Sequence, residues 1–324
     1  MNGIRKNRTM TCTRFLLVIA FALVLVPKSI LAQQRTNGLI AFVRSDFNTG
    51  IDTTYIMNPD GTHLRLLLAG ASVPYWSPDG TLLAMQTPFN GGCPPCSSTT
   101  IINPDTAQQR VLSPPDPNLA TFCSLWSPDA SHFACDGEND NDPSLNGIYT
   151  IRSSNGGGLT RITNAGGAID IPIDYSPDGK QIVFGRVGPN HNCTTTSALY
   201  VVNVDGTGLH QITPGGFCDD DGGWSPDGTE IAFEHHGSLF VVHPDGTGLA
   251  KIPIATSGLN REGDVTWSPD GKKIAFILFV QRGPGTSQEG IGTANADGSN
   301  VQLITSALPY FDHEADWGPH PLVP

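Results

Sequence analysis

Aspartate and glutamate gather at four places in this chain, each a few residues ahead of an aromatic. Asp170 and Asp174 precede Tyr175; Asp219, Asp220 and Asp221 precede Trp224; Glu262 and Asp264 precede Trp267; Asp312, His313, Glu314 and Asp316 precede Trp317. Two carboxylates about 6 Å apart repel by roughly 3 kcal/mol at an effective dielectric near 20. A converging set is therefore held more easily by a bound cation or a basic partner group. Ca²⁺ suits such a set, since it takes several hard oxygens in flexible geometry. Asp219, Asp220, Asp221, Glu262, Asp264 and Glu314 are the candidate ligands. The plainer alternative is that these are loop acids, simply solvated.

Other residues that could do chemistry are weaker candidates. DGENDNDPSLNG from Asp136 to Gly147 lacks the sixth-position Gly and terminal Glu of an EF-hand, and reads as a surface loop. His235, His236 and His313 are scattered, with packed or solvated imidazole as the ordinary reading. Cys93, Cys96, Cys123, Cys135, Cys193 and Cys218 form an even set, which in an exported chain suggests disulfides. Cys193 with Cys218 is one expected pair, closing a loop worth roughly 3 kcal/mol on a chain-entropy account. For the others, either one of Cys93 and Cys96 pairs with Cys123 and the other with Cys135, or Cys93 pairs with Cys96 and Cys123 with Cys135. A redox role for Cys-Pro-Pro-Cys would need a helix N-terminus, and zinc would need a second ligand pair; neither is present in the pattern. No phosphate loop, dinucleotide fingerprint or Ser/His/Asp order is evident.

The elements that position these residues are written as a repeat. YWSPDGTLLAM from Tyr75, LWSPDASHFAC from Leu125, DYSPDGKQIVF from Asp174, GWSPDGTEIAF from Gly223 and TWSPDGKKIAF from Thr266 are five copies, and DWGPHP from Asp316 is a degenerate sixth. Their aromatics, Trp76, Trp126, Tyr175, Trp224, Trp267 and Trp317, are spaced by 50, 49, 49, 43 and 50 residues. Each unit has a second half such as ALYVVNVDGTGLHQIT or SLFVVHPDGTGLAKIP. Ser-Pro-Asp-Gly closes a tight turn through the fixed φ of Pro, the Asp acceptor and a permissive Gly. β-branched and aromatic runs on either side of such turns read as strands. Four short strands per unit of this length describe a propeller blade, and the repeated Trp suits the seam between blades.

The ends fix the blade number. The segment from Gly38 to Leu68 holds three strands of a unit without its Trp strand, and HEADWGP at the other end supplies that strand alone. The expected fold is all-β: a six-bladed propeller of four-stranded antiparallel blades, its ring closed by N- and C-terminal strands sharing one blade. The hairpin turns are short and regular. The links from second to third strand and from blade to blade are long and variable, and should emerge together on one face, where function usually sits. Innermost strands line the channel of a propeller, so the acids ahead of the aromatics are expected to converge there.

These repeats, WSPDG…IAF…LYVVNxDGTGLxxIT, resemble those of the TolB-like propeller family across nearly all of residues 33–324. The resemblance implies the fold, and a precedent for cation and peptide-epitope binding at the channel mouth. The separate N-terminal domain of TolB proteins has no counterpart here, nor does the G-x-S-x-G hydrolase domain of propeller peptidases. Oligogalacturonate lyases, which are similar six-bladed proteins, gather His around a channel metal, to which only His313 and His235 or His236 could contribute.

Residues 1–32 carry a basic start, an apolar run from Phe15 to Val26 and a small-residue exit at Ala32, the pattern of a secretory signal peptide. The expectation is a secreted or periplasmic monomer without membrane insertion after cleavage. Five of the 18 basic residues and none of the 30 acidic ones lie in that leader, leaving a net charge of −17 on the rest. Such a surface repels phosphate backbones and anionic lipids, which argues against nucleic acid and membrane surfaces. A protein or peptide partner bound at the long-loop face, with help from a cation, is the leading reading. A metal-dependent enzyme acting on polysaccharide or peptide in the channel is the alternative.

Overall fold

The structure is a computed structural model that describes residues 36–324, apart from 89–96, 114–115, 190–196, 217–218, 255–261, 284–285 and 306–309. The leader, Cys93, Cys96, Cys193 and Cys218 therefore lie outside the described residues. Six separate four-stranded antiparallel sheets follow one another around the chain. Their inner strands are Ser72–Trp76, Ala120–Trp126, Ile169–Tyr175, Asp220–Trp224, Glu262–Trp267 and Tyr310–Trp317, in blades 1 to 6. Blade 6 is the composite one: its inner strand pairs with Ile40–Asp46, which pairs in turn with Asp52–Met57 and then Arg65–Ala69. Among the described residues no helix is long and apolar enough to cross a membrane.

The turn chemistry expected of Ser-Pro-Asp-Gly is realised. Ser77 Oγ donates to Asp79 Oδ1 at 2.6 Å and accepts the Leu82 N–H at 3.0 Å, while Asp79 Oδ1 accepts the Thr81 N–H at 3.0 Å. The same set recurs at Ser127, Ser176, Ser225 and Ser268. The fourth turn residue sits at φ of +70° to +75° in Gly80, Gly179, Gly228 and Gly271, a region costly for residues with a Cβ. Blade 2 breaks the pattern: Ala130 holds that position at φ +59°.

The core is not one cluster but a set of seams, each joining two blades around one aromatic. Trp126 joins Ala84 and Ile101 of blade 1 to Phe133 of blade 2. Tyr175 does so between blades 2 and 3, Trp224 between 3 and 4, and Trp267 between 4 and 5. Trp317 joins 5 to 6, and Trp76 joins 6 to 1. A four-stranded sheet has two apolar faces, and only a neighbour on each side covers both.

Cys123 and Cys135 face each other across the first hairpin of blade 2 and form a disulfide. Cys123 thus lies within an inner strand rather than in a link, and it does not pair with Cys93 or Cys96. Asp136 also departs from its expected place. It belongs to the strand His132–Glu138 and is buried, with the surface loop beginning only beyond Glu138.

Candidate functional site: an acidic channel

Every inner strand is bulged between its first residues and its aromatic, as register shifts in all six blades record. In four blades the third residue before the aromatic has a positive φ: Val73 (+50°), Asp221 (+38°), Asp264 (+44°) and Glu314 (+51°). A bulge inserts one unpaired residue and re-aims the side chains that follow. Positive φ at β-branched or acidic residues costs of order 1–3 kcal/mol each, and such strain gathers at working sites.

The bulge sorts the expected acids into two groups. Strict alternation would put the fifth, third and first residues before the aromatic on one face. One extra residue instead turns the fifth away from the channel and into its own blade. There Asp170 receives two hydrogen bonds from Arg186, at 2.6 and 2.8 Å, and one from Thr163. Asp312 receives the same pair from Arg44. Asp219, fully buried, meets Thr213 and His235, each at 2.5 Å. Asp219 and Asp312 are thus internal ties, not channel ligands, because the bulge reverses their side. Asp220 and Glu262 lie on inner strands, and their side chains are outside the described part.

The third and first residues do face the channel, which encloses about 700 Å³. Its described lining includes Asp174, Asp221, Asp264, Glu314 and Asp316 from inner strands, with Asp136 and Glu138 from the second strand of blade 2. No Lys, Arg or His is among those lining residues. The acids pass hydrogen bonds around the ring: Asp264 accepts the Glu314 N–H at 2.8 Å, and Glu314 accepts the Val73 N–H at 2.7 Å. One step deeper, Asp174 accepts the Trp224 N–H at 2.9 Å and Asp316 the Trp76 N–H at 2.7 Å. Asp221, Glu234 and Asp264 bring one carboxylate oxygen each within 4.8 Å of one another.

Burial makes this charge expensive. It pushes the Asp316 carboxyl up to about 6 against the pull of the Trp76 N–H. It raises Glu314, opposed by the nearby His313, and raises Asp136 well above the carboxylate range, helped by Glu138. Tyr75 is likewise raised well above its ordinary value, by burial and then by the surrounding acids. A cavity that resists its own negative charge favours a positive guest.

Asp136 and Glu138 in the lining, and Glu234 beside Asp221 and Asp264, lie on second strands and were missed because only inner strands were expected to contribute. A partial signal exists: ten residues after the aromatics of blades 1 to 4 the second strands carry Gln86, Asp136, Gly185 and Glu234, a polar or small series opposite the bulge, whereas blade 5 has Ile277 there. A second unforeseen constellation is Ser45, whose Oγ lies 2.5 Å from Asp52 Oδ1 and 2.8 Å from His313 Nε2. The hydroxyl proton goes to the carboxylate, so the serine accepts from the imidazole. This orients His313, whose Nδ1 stands 3.7 Å from Glu314 Oε1.

The six-sheet ring is found in solved structures. TolB from Acinetobacter baumannii matches 87% of this chain with a TM-score of 0.66 at 20% identity. The fold is that of the TolB propellers. A putative TolB from Agrobacterium tumefaciens matches 86% of the chain and 98% of its own, with a TM-score of 0.62 at 17% identity. An oligogalacturonate lyase in complex with manganese matches 84% of the chain more loosely, with a TM-score of 0.51 at 16% identity. At such identities the likeness is one of fold. Among curated proteins, an uncharacterized protein of Agrobacterium fabrum is 29% identical over 209 residues, 58% of this chain. The match spans 64% of that relative and 66% of the Acinetobacter TolB chain, under two thirds of either. No protein-family model matches the chain. Like the TolB propellers in fold, this one carries its carboxylates on bulges that open into the ring.

Proposed function

We propose that this TolB-like propeller is an exported binding module. It engages a protein or peptide partner at its long-loop face and takes a cationic group of that partner, or a Ca²⁺ ion, at the channel mouth. The carrying observation is a channel with seven acidic residues in its described lining and no basic one. Asp221, Glu234 and Asp264 would hold the cation. Their spacing of at most 4.8 Å matches oxygens on opposite sides of one Ca²⁺ at about 2.4 Å each. Three hard carboxylates suit Ca²⁺ or an ammonium or guanidinium group better than a transition metal. Export rests on the leader pattern of residues 1–32, outside the described residues. The enzymatic alternative gains no support, since it needs histidines in the channel and the described lining has none.

The test is calorimetric titration of the purified protein with Ca²⁺ and with an Arg-bearing peptide, beside an Asp221→Asn/Asp264→Asn variant. Binding is expected in the wild type for at least one of the two, and loss in the variant. No heat and no melting shift with either at millimolar concentration would overturn the proposal.

A further inference from the structure

From the turn between Ile40–Asp46 and Asp52–Met57 of blade 6 a file of side chains leads into the acidic mouth. Phe47 stacks on Phe311 at 6.5 Å between ring centroids, and Phe311 stacks on His313 at 4.7 Å. His313 Nδ1 stands 3.7 Å from Glu314, whose N–H is bound by Asp264, a member of the Asp221–Glu234–Asp264 group. The outer end of this file is an apolar shelf in open solvent: Phe47 is 67% exposed, Ile51 52% and Tyr310 37%. Exposed apolar side chains gathered at one rim mark a contact surface more often than scattered ones do. The shelf is also held in place. Asp46 closes its turn by accepting the Asn48 N–H on its side chain and the Gly50 N–H, at 2.7 Å, on its carbonyl. A fixed aromatic loses little freedom when covered.

Charge decides what covers it. Asp46 and Asp52 flank the shelf and Glu314 and Asp264 lie inward of it. Arg44, a cation beside the shelf, is 12% exposed and already doubly bonded to Asp312. Resting on the binding-module reading, we infer that the partner is an extended peptide segment carrying one basic and one aromatic residue. The basic side chain enters the mouth at Asp221, Glu234 and Asp264, while the aromatic one packs on Phe47 and Ile51. The ring-to-ring steps place Phe47 no more than about 11 Å from His313. Glu314 Oε1 at the mouth is a further 3.7 Å from His313 Nδ1, so at roughly 3.4 Å per residue of extended chain up to about five residues separate the shelf from the acidic mouth.

The probes are fluorescent Gly/Ser dodecapeptides containing Arg and Trp four residues apart, Arg alone, or Arg and Trp adjacent. The spaced peptide is expected to bind about tenfold more tightly than Arg alone. In a Phe47→Ser/Ile51→Ser variant that advantage should fall below about threefold, with affinity for the Arg-only peptide unchanged. Both substitutions are at exposed positions, and circular dichroism checks the fold. An advantage that survives in the variant, or a spaced peptide no tighter than the other two, overturns the shelf alone. Absence of any Arg-dependent binding overturns the proposed function, and the shelf with it.

Discussion

Asp316 offers the sharpest test of the channel electrostatics. Its carboxyl is buried and rises from an ordinary 3.8 to about 6, chiefly through burial. The folded state then holds this proton more tightly than the unfolded chain. The resulting stability is complete below pH about 3.8 and is lost as pH rises through about 6. A rise from 3.8 to about 6 corresponds to about 3 kcal/mol at most. Asp316→Asn keeps an acceptor for the Trp76 N–H and removes the titration. The lost charge assistance in that bond is already contained in the shift, because the Trp76 N–H pulls the value down. Urea unfolding of wild type and variant at pH 4 and pH 7.5 reads the effect directly. Because the unfolded carboxyl is already partly ionised at pH 4, the variant should gain about 2.5 kcal/mol relative to wild type between the two conditions. A difference between the proteins that stays constant within about 0.5 kcal/mol would show that burial in the channel does not penalise this charge.

The other expectations concern the ring and its guest. Cation binding near pH 6 should release protons as Asp316 and Glu314 ionise, so titration heats should differ between buffers of unlike ionisation enthalpy. Arg44→Ala leaves Asp312, 1% exposed, without its cation, and should cost about 3–5 kcal/mol in urea unfolding. Ala130→Gly relieves a left-handed Cβ and should stabilise by about 1 kcal/mol, seen as a raised melting temperature. Reduction of the Cys123–Cys135 bridge, which spans 12 residues, should cost about 3 kcal/mol. A native protein whose Cys123 and Cys135 both alkylate without reductant would contradict that pairing.

The fold was legible because it is written in turn chemistry. Ser-Pro-Asp-Gly and the second-half Asp-Gly turns are local signals, and the split of one unit between Gly38–Leu68 and the Trp317 segment counted the blades before any packing was known. The site was legible only in part. Asp221, Asp264 and Glu314 face the channel and Asp219 and Asp312 do not, although all five precede a Trp. What separates them is a one-residue bulge that no residue type announces: Val73 adopts the same positive φ as the three acids beside it in the series. Alternation read from the aromatic backwards fails across that bulge. The disulfide stayed open for a different reason, since opposite positions on a hairpin and on facing links are equally close in a blade.

The composite blade has a consequence in time. Arg44 and Asp312 are 268 residues apart, so their blade is the most non-local contact in the ring. During synthesis the strand Ile40–Asp46 emerges first among the propeller strands, and its partner Tyr310–Trp317 emerges last. Until then one blade stands three strands wide, with a bare edge and a seam toward blade 5 that lacks Trp317. Long-range pairing of this kind is slow, and an open edge invites the wrong neighbour. The charged C-terminal end of that first strand, Arg44 and Asp46, suits an edge that must stay soluble while it waits. The last strand then does more than complete a sheet: it is the step after which the channel, with its ring of carboxylates, first exists.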